Sequence, residues 1–207
     1  MLFRSVPALI ALWSLGGLYA SLGPALVTQI TGQRSFVLGG LSVAVLAGTG
    51  AAAVLLLRSA PPAAVLLTAC VALVAGVGIT LVAVQLSSAT VFFAGTVVAG
   101  TGFGAGFQGV VRSVLPHAPA HQRSGVLSLI WVVSYLALGL PAVLAGVLVV
   151  HGGGIPGTAR EYGSAVILLA ALALAGLARN QRRPAPAVPV PTPSPAPDYY
   201  QVLEHCG

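Results

Sequence analysis

The side chains best suited to contact a ligand lie along one stretch of the chain that is otherwise apolar. Ser128, Trp131, Tyr135, Gly139 and Ala142 recur at spacings of three and four, so a helix places all five on one face. This face mixes a hydroxyl, an indole and a phenol, a combination that suits a small, partly apolar ligand. The alternative is that each polar group bonds a neighbouring helix.

Two more polar side chains stand inside long apolar runs. Tyr19 lies near the middle of the first run and Gln108 near the end of the fourth. Tyrosines of membrane proteins usually occupy the interfacial belt, so one near mid-depth is unusual. We predict that Tyr19 and Gln108 line a substrate path together with Ser128, Trp131 and Tyr135.

Groups that could carry catalysis or hold a metal are scarce. No Asp, Glu, Lys or Arg lies in the middle of any apolar run, although proton relays and coupling-ion sites normally use such residues. His117 and His121 have the spacing of a metal pair, but Pro116 and Pro119 disfavour a helix there and no further ligand is nearby. We therefore predict no enzyme, no cofactor and no metal site.

Glycines mark the fourth apolar run. Gly100 with Gly104, and Gly102 with Gly106, form two pairs of small residues four apart. This spacing lets another helix approach closely and permits bending. Tight packing alone is one interpretation, and a helix that rocks against its neighbour is the other. A dinucleotide-binding loop is excluded because the glycines lie inside an apolar run with no strand before them.

Two other apolar runs are interrupted by residues that weaken a helix. They are Gly16, Gly17, Gly23 and Pro24 in the first run and Gly139 and Pro141 in the fifth. A proline inside a helix frees one carbonyl, which in a membrane must find a partner in the protein or in a wet cavity. Interrupted spans are typical of transporter substrate paths, although many proline kinks are only structural.

The elements that position these residues follow from the composition. Of the 207 residues, 57% are hydrophobic and 6% are charged, against about a quarter charged in a soluble domain. Six apolar runs follow one another, each without strand-like alternation, and they predict an all-α membrane protein with six transmembrane helices. The predicted spans are residues 6–30, 36–57, 62–86, 89–111, 125–150 and 162–178, of which the sixth is the shortest.

The nine basic residues are all arginines, and they fall unequally on the two sides of such a bundle. Seven lie before the first span, in the second and fourth loops, or after the last span. Only Arg34, in the first loop, and Arg160, in the fifth loop, lie on the opposite side. The positive-inside rule then places both termini in the cytoplasm. Because the arginines are scattered singly, we predict contact with the lipid bilayer and not with nucleic acid.

The end of the chain has a different character. Residues 181–207 are rich in Pro and Ala, which predicts an extended, disordered cytoplasmic tail that packs no core. A partner-binding motif in this tail is the alternative. The absence of lysine and the abundance of Ala, Gly, Pro and Arg are typical of GC-rich coding sequences, which favours a bacterial inner (plasma) membrane.

Three segments resemble the C-terminal half of major facilitator superfamily transporters. They are residues 13–24, residues 100–109 with the basic loop 112–123, and residues 125–146, and the resemblance covers about residues 1–180. It implies a six-helix half-bundle in which the first, second, fourth and fifth helices border a cavity. The family's signature loop after the second helix is reduced here to residues 58–62. The broken runs are the first, fourth and fifth, whereas the second is plain, so the match is partial.

The resemblance also implies the function and the partners. Such a bundle moves a small molecule by alternating access, by rocking against a second bundle, and efflux is the direction that the family suggests. We therefore expect an N-terminal six-helix half encoded upstream, or a second six-helix chain, as partner. The alternatives are a non-transporting membrane scaffold or accessory subunit, and an inactive gene fragment.

Overall fold

A computed structural model of the chain describes residues 2–33, 35–117 and 119–181. Within these ranges all regular structure is helical and no strand occurs. The seven α-helices are α1 (Leu2–Ser21), α2 (Gly23–Thr31), α3 (Phe36–Leu56), α4 (Pro62–Leu86), α5 (Ala89–Val114), α6 (Arg123–Leu148) and α7 (Gly154–Gln181). Residues 182–207 lie outside the described residues, and with them nearly all of the predicted tail.

The helices indicate a multi-pass membrane protein. α3 to α7 are each long and apolar enough to cross a bilayer, and α1 with α2 makes a sixth candidate span. α1 and α2 are bent by 49° at Leu22, and Pro24 stands in the first turn of α2. The predicted break at Gly23 and Pro24 is thus confirmed, because a proline is tolerated at a helix start but not inside one. Gly16 and Gly17 lie inside the continuous helix α1 and do not break it.

Local sequence signals set several helix boundaries. Ser35 and Ser88 are the N-cap residues of α3 and α5, and each hydroxyl accepts a hydrogen bond from a first-turn N–H. Pro62 opens α4, where its missing N–H costs nothing. The predicted bounds of the third span, residues 62–86, are those of α4.

The sixth span is longer than we predicted from residues 162–178, because α7 already begins at Gly154. A helix continues through polar residues when their side chains are exposed, as those of Arg160 and Glu161 are. A single π-helical turn, Val149–Gly153, links α6 to α7, and Gly154 has φ 59°, which glycine adopts without steric cost. Arg160, which the sequence placed in a loop, therefore lies inside a helix.

The bundle is built around α1 and α5. α5 packs against α3 and α4, α1 packs against α6 and α7, and α4 closes against α7. α1 and α5 also contact each other, so their facing side chains form the core. α3 and α6 are the least buried of the five continuous spans.

The glycines of α5 are contact points with three neighbouring helices. A Cβ added to Gly100 or Gly104 would collide with α3, the latter with the backbone of Gly50. A Cβ on Gly102 would lie 2.8 Å from the backbone nitrogen of Leu73 in α4, and one on Gly106 would meet Leu12 of α1 at 3.1 Å. The predicted close approach is confirmed, and α5 itself runs unbroken.

Candidate functional site

Five aromatic side chains from three helices meet in one cluster. Trp13 comes from α1, Phe103 and Phe107 from α5, and Trp131 and Tyr135 from α6. The pairs on α5 and α6 are each four residues apart, which is the spacing that places two side chains on one helical face. We call these five residues the aromatic cluster.

Trp13 is the centre of the aromatic cluster. Its ring centroid lies 5.5 Å from that of Phe103, 6.0 Å from that of Phe107 and 6.0 Å from that of Trp131. The two phenyl rings meet it edge to face, the arrangement that the aromatic quadrupole favours. The Trp13 Nε1 atom is buried and has no hydrogen-bond partner in the part of the chain that the structure describes.

The outer side of the aromatic cluster is open. Trp131 and Tyr135 stack with centroids 5.8 Å apart, and their side chains are 39% and 63% exposed. Phe103 and Phe107 are half-buried behind them. The arrangement therefore presents aromatic faces and edges to any molecule or helix beside α6.

The predicted site residues separate into two groups. Trp131 and Tyr135 lie in the aromatic cluster, and Ser128 is exposed one turn before Trp131 on α6. Tyr19 is instead fully buried, with its hydroxyl 2.6 Å from Thr80 Oγ1 and its ring against Phe92. For Tyr19 the structure thus shows the alternative, a hydroxyl that bonds a neighbouring helix.

Gln108 also bonds a neighbouring helix. Its Nε2 donates a hydrogen bond of 3.0 Å to the backbone oxygen of Val54 in α3. The Oε1 atom is buried without a partner among the described residues. Gln108 thus ties α5 to α3.

Sequence reasoning missed Trp13, Phe103 and Phe107 as members of the site. The four-residue spacing of the two phenylalanines between glycines was the available signal, because it gives α5 one aromatic stripe. Trp13 had no such signal, because only the packing of α1 between α5 and α6 brings it to the others. In the described ranges no three His, Cys, Asp or Glu side chains come together as a metal site would require.

Comparison with known protein families, characterised proteins and solved structures finds no match. The fold itself defines the class, which is an all-α protein with five or six helices able to span a membrane. Its distinguishing feature is the aromatic cluster on α1, α5 and α6.

Proposed function

We propose that this chain is a six-helix bundle of a transporter of the major facilitator type. It moves a small, partly apolar molecule across the plasma membrane by alternating access. The observation that carries the proposal is the origin of the aromatic cluster. Its residues come from the first, fourth and fifth spans, which are cavity-lining helices in the family that the sequence resembles. The third and sixth spans, α4 and α7, contribute none.

The chemistry of the cluster supports a ligand with a flat apolar part. Aromatic faces bind other rings and delocalised cations. We further propose that a second six-helix bundle faces Trp131 and Tyr135. Both side chains are exposed, and a second bundle packed beside α6 would cover them and enclose a cavity between the two bundles.

The chain contains a built-in reporter of ligand binding. Trp13 and Trp131 are its only tryptophans, and both lie in the aromatic cluster. We would titrate the purified full chain in nanodiscs with ethidium, a planar aromatic cation, and with neutral phenanthridine, and would follow tryptophan emission. Saturable quenching by either probe, lost in Tyr135→Ala and retained in Leu136→Ala, is the expected result. Leu136 is an exposed neighbour outside the cluster.

Transport is tested separately from binding. Proteoliposomes carrying the full chain, alone and with a co-expressed six-helix partner bundle, would be loaded with the probe that quenches. Protein-dependent flux that falls at least about tenfold in Trp131→Ala supports the proposal, whereas Leu136→Ala should leave flux unchanged. Quenching without flux in any preparation would argue for a binding protein and against a transporter.

A further inference from the structure

A second candidate site lies at the end of the bundle where α5 passes into α6. It is an open cavity of about 530 Å³, lined by Pro62, Val111, Arg112, Leu115, Pro116 and Arg123. The cavity is separate from the aromatic cluster and shares no residue with it. Two of its six lining residues are arginines.

The two arginines give the cavity a positive charge. The Arg112 side chain donates a hydrogen bond of 3.4 Å to the backbone oxygen of Leu57, which holds the guanidinium beside the α3–α4 connection. A guanidinium has five N–H donors, so one carbonyl contact leaves most of them for a ligand.

Among the described residues no acidic side chain lines the cavity. Their single carboxylate is that of Glu161, in the early part of α7 toward the other end of the bundle. α4 begins at Pro62 and α6 begins at Arg123, and neither helix has a side-chain cap or an acidic residue in its first turn. The N-terminal ends of both helices therefore add to the positive potential around the arginines, although Pro62 itself contributes no N–H.

We propose that this cavity binds the phosphate headgroup of an anionic phospholipid. The cavity lies at the ends of membrane-spanning helices, which is the depth at which headgroups lie. A guanidinium fork matches phosphate oxygens in geometry, and basic pockets between transmembrane helices bind such headgroups. Val111 and Leu115 supply an apolar wall for the glycerol and the start of the acyl chains. The inference depends on the membrane class of the protein and not on transport.

The test measures binding of the first lipid to the delipidated full chain by native mass spectrometry. Phosphatidylglycerol and phosphatidylcholine of the same chain length are compared. We expect phosphatidylglycerol to bind at least about tenfold more tightly. Arg112→Gln and Arg123→Gln should each weaken it about fivefold, because one arginine near an anionic surface contributes about 1 kcal/mol. Arg112→Lys, which keeps the charge, should lose less than Arg112→Gln.

The matched control is Arg160→Gln, which removes an exposed arginine from α7 outside the cavity. It should leave phosphatidylglycerol binding unchanged. Equal binding of the two lipids would overturn the proposal, as would a loss in Arg160→Gln as large as in the cavity variants. Displacement of phosphatidylglycerol by millimolar inorganic phosphate would assign the cavity to a free anion instead of a lipid.

Discussion

The Ser14 hydroxyl on α1 donates a hydrogen bond of 3.2 Å to the backbone oxygen of Ala137 on α6. Ala137 is four residues before Pro141, so its carbonyl is the one that the proline leaves without a helical N–H. The sequence predicted that a freed carbonyl would need a partner inside the protein, and this contact supplies it. The proline is thereby accommodated within a continuous α6.

This relationship predicts coupling between Ser14 and Pro141. Ser14→Ala should lower the free energy of unfolding by about 0.6 to 1.7 kcal/mol, the range for hydrogen bonds between transmembrane helices. In a Pro141→Ala background the helix can satisfy its own carbonyl, so the same substitution should cost much less. Unfolding titrations in mixed micelles would measure the coupling from the four proteins of the double-mutant cycle. Equal costs in both backgrounds would contradict the assignment.

The backbone contact between Gly50 and Gly104 predicts a site that tolerates no side chain. Gly104→Ala should lower the free energy of unfolding by about 1 to 3 kcal/mol, because a methyl group there must push α3 away from α5. Thermal melts in detergent would show the loss. Gly48→Ala on α3 is the matched control, since its added methyl group meets no atom within 4 Å. A loss of similar size in the control would refute the packing argument.

The buried pair Tyr19 and Thr80 joins α1 to α4. Tyr19→Phe keeps the ring against Phe92 but removes the hydroxyl, and should lower the unfolding free energy by about 1 kcal/mol. Probe quenching of the tryptophans should be unchanged, because Tyr19 has no ring contact with the aromatic cluster. A specific loss of quenching in a stably folded Tyr19→Phe protein would restore Tyr19 to the substrate path.

Cys70 is a free thiol on α4 that is 1% exposed. In a Cys206→Ser variant it is the single cysteine of the chain. A maleimide should then fail to label the folded protein in nanodiscs but should label it after denaturation in sodium dodecyl sulfate, because the packed core excludes the reagent. Rapid labelling of the folded form would show that α4 is not buried in this way.

The spans were predictable because apolar length is a strong signal. α3 and α4 lie within a residue of the predicted bounds, since a capping serine or a proline stands at each start. α7 was not predictable in length, because hydropathy marks the apolar part of a helix and not its ends. The prediction that glycine pairs allow close approach was confirmed, since a missing Cβ acts locally wherever two helices meet.

The candidate site was only half predictable. Trp131 and Tyr135 could be placed on one face from spacing alone, because both lie on one helix. The contacts of Trp13 with α5 and α6 depend on which helices neighbour each other, and a single sequence does not record that. For the same reason the sequence did not indicate that α4 places Thr80 beside the Tyr19 hydroxyl, and Tyr19 was predicted to line the substrate path.

The contact between Gly50 and Gly104 has a further consequence for how the bundle can deform. Glycine has no rotamers, so this joint freezes no side-chain entropy when it forms and offers no alternative side-chain arrangement along which α3 and α5 could slide. The interface between α1 and α5 is different, because the rings of Trp13 and Phe103 can adopt other packing arrangements. Internal motion is therefore expected to concentrate at the aromatic cluster, with α3 and α5 moving as one rigid body.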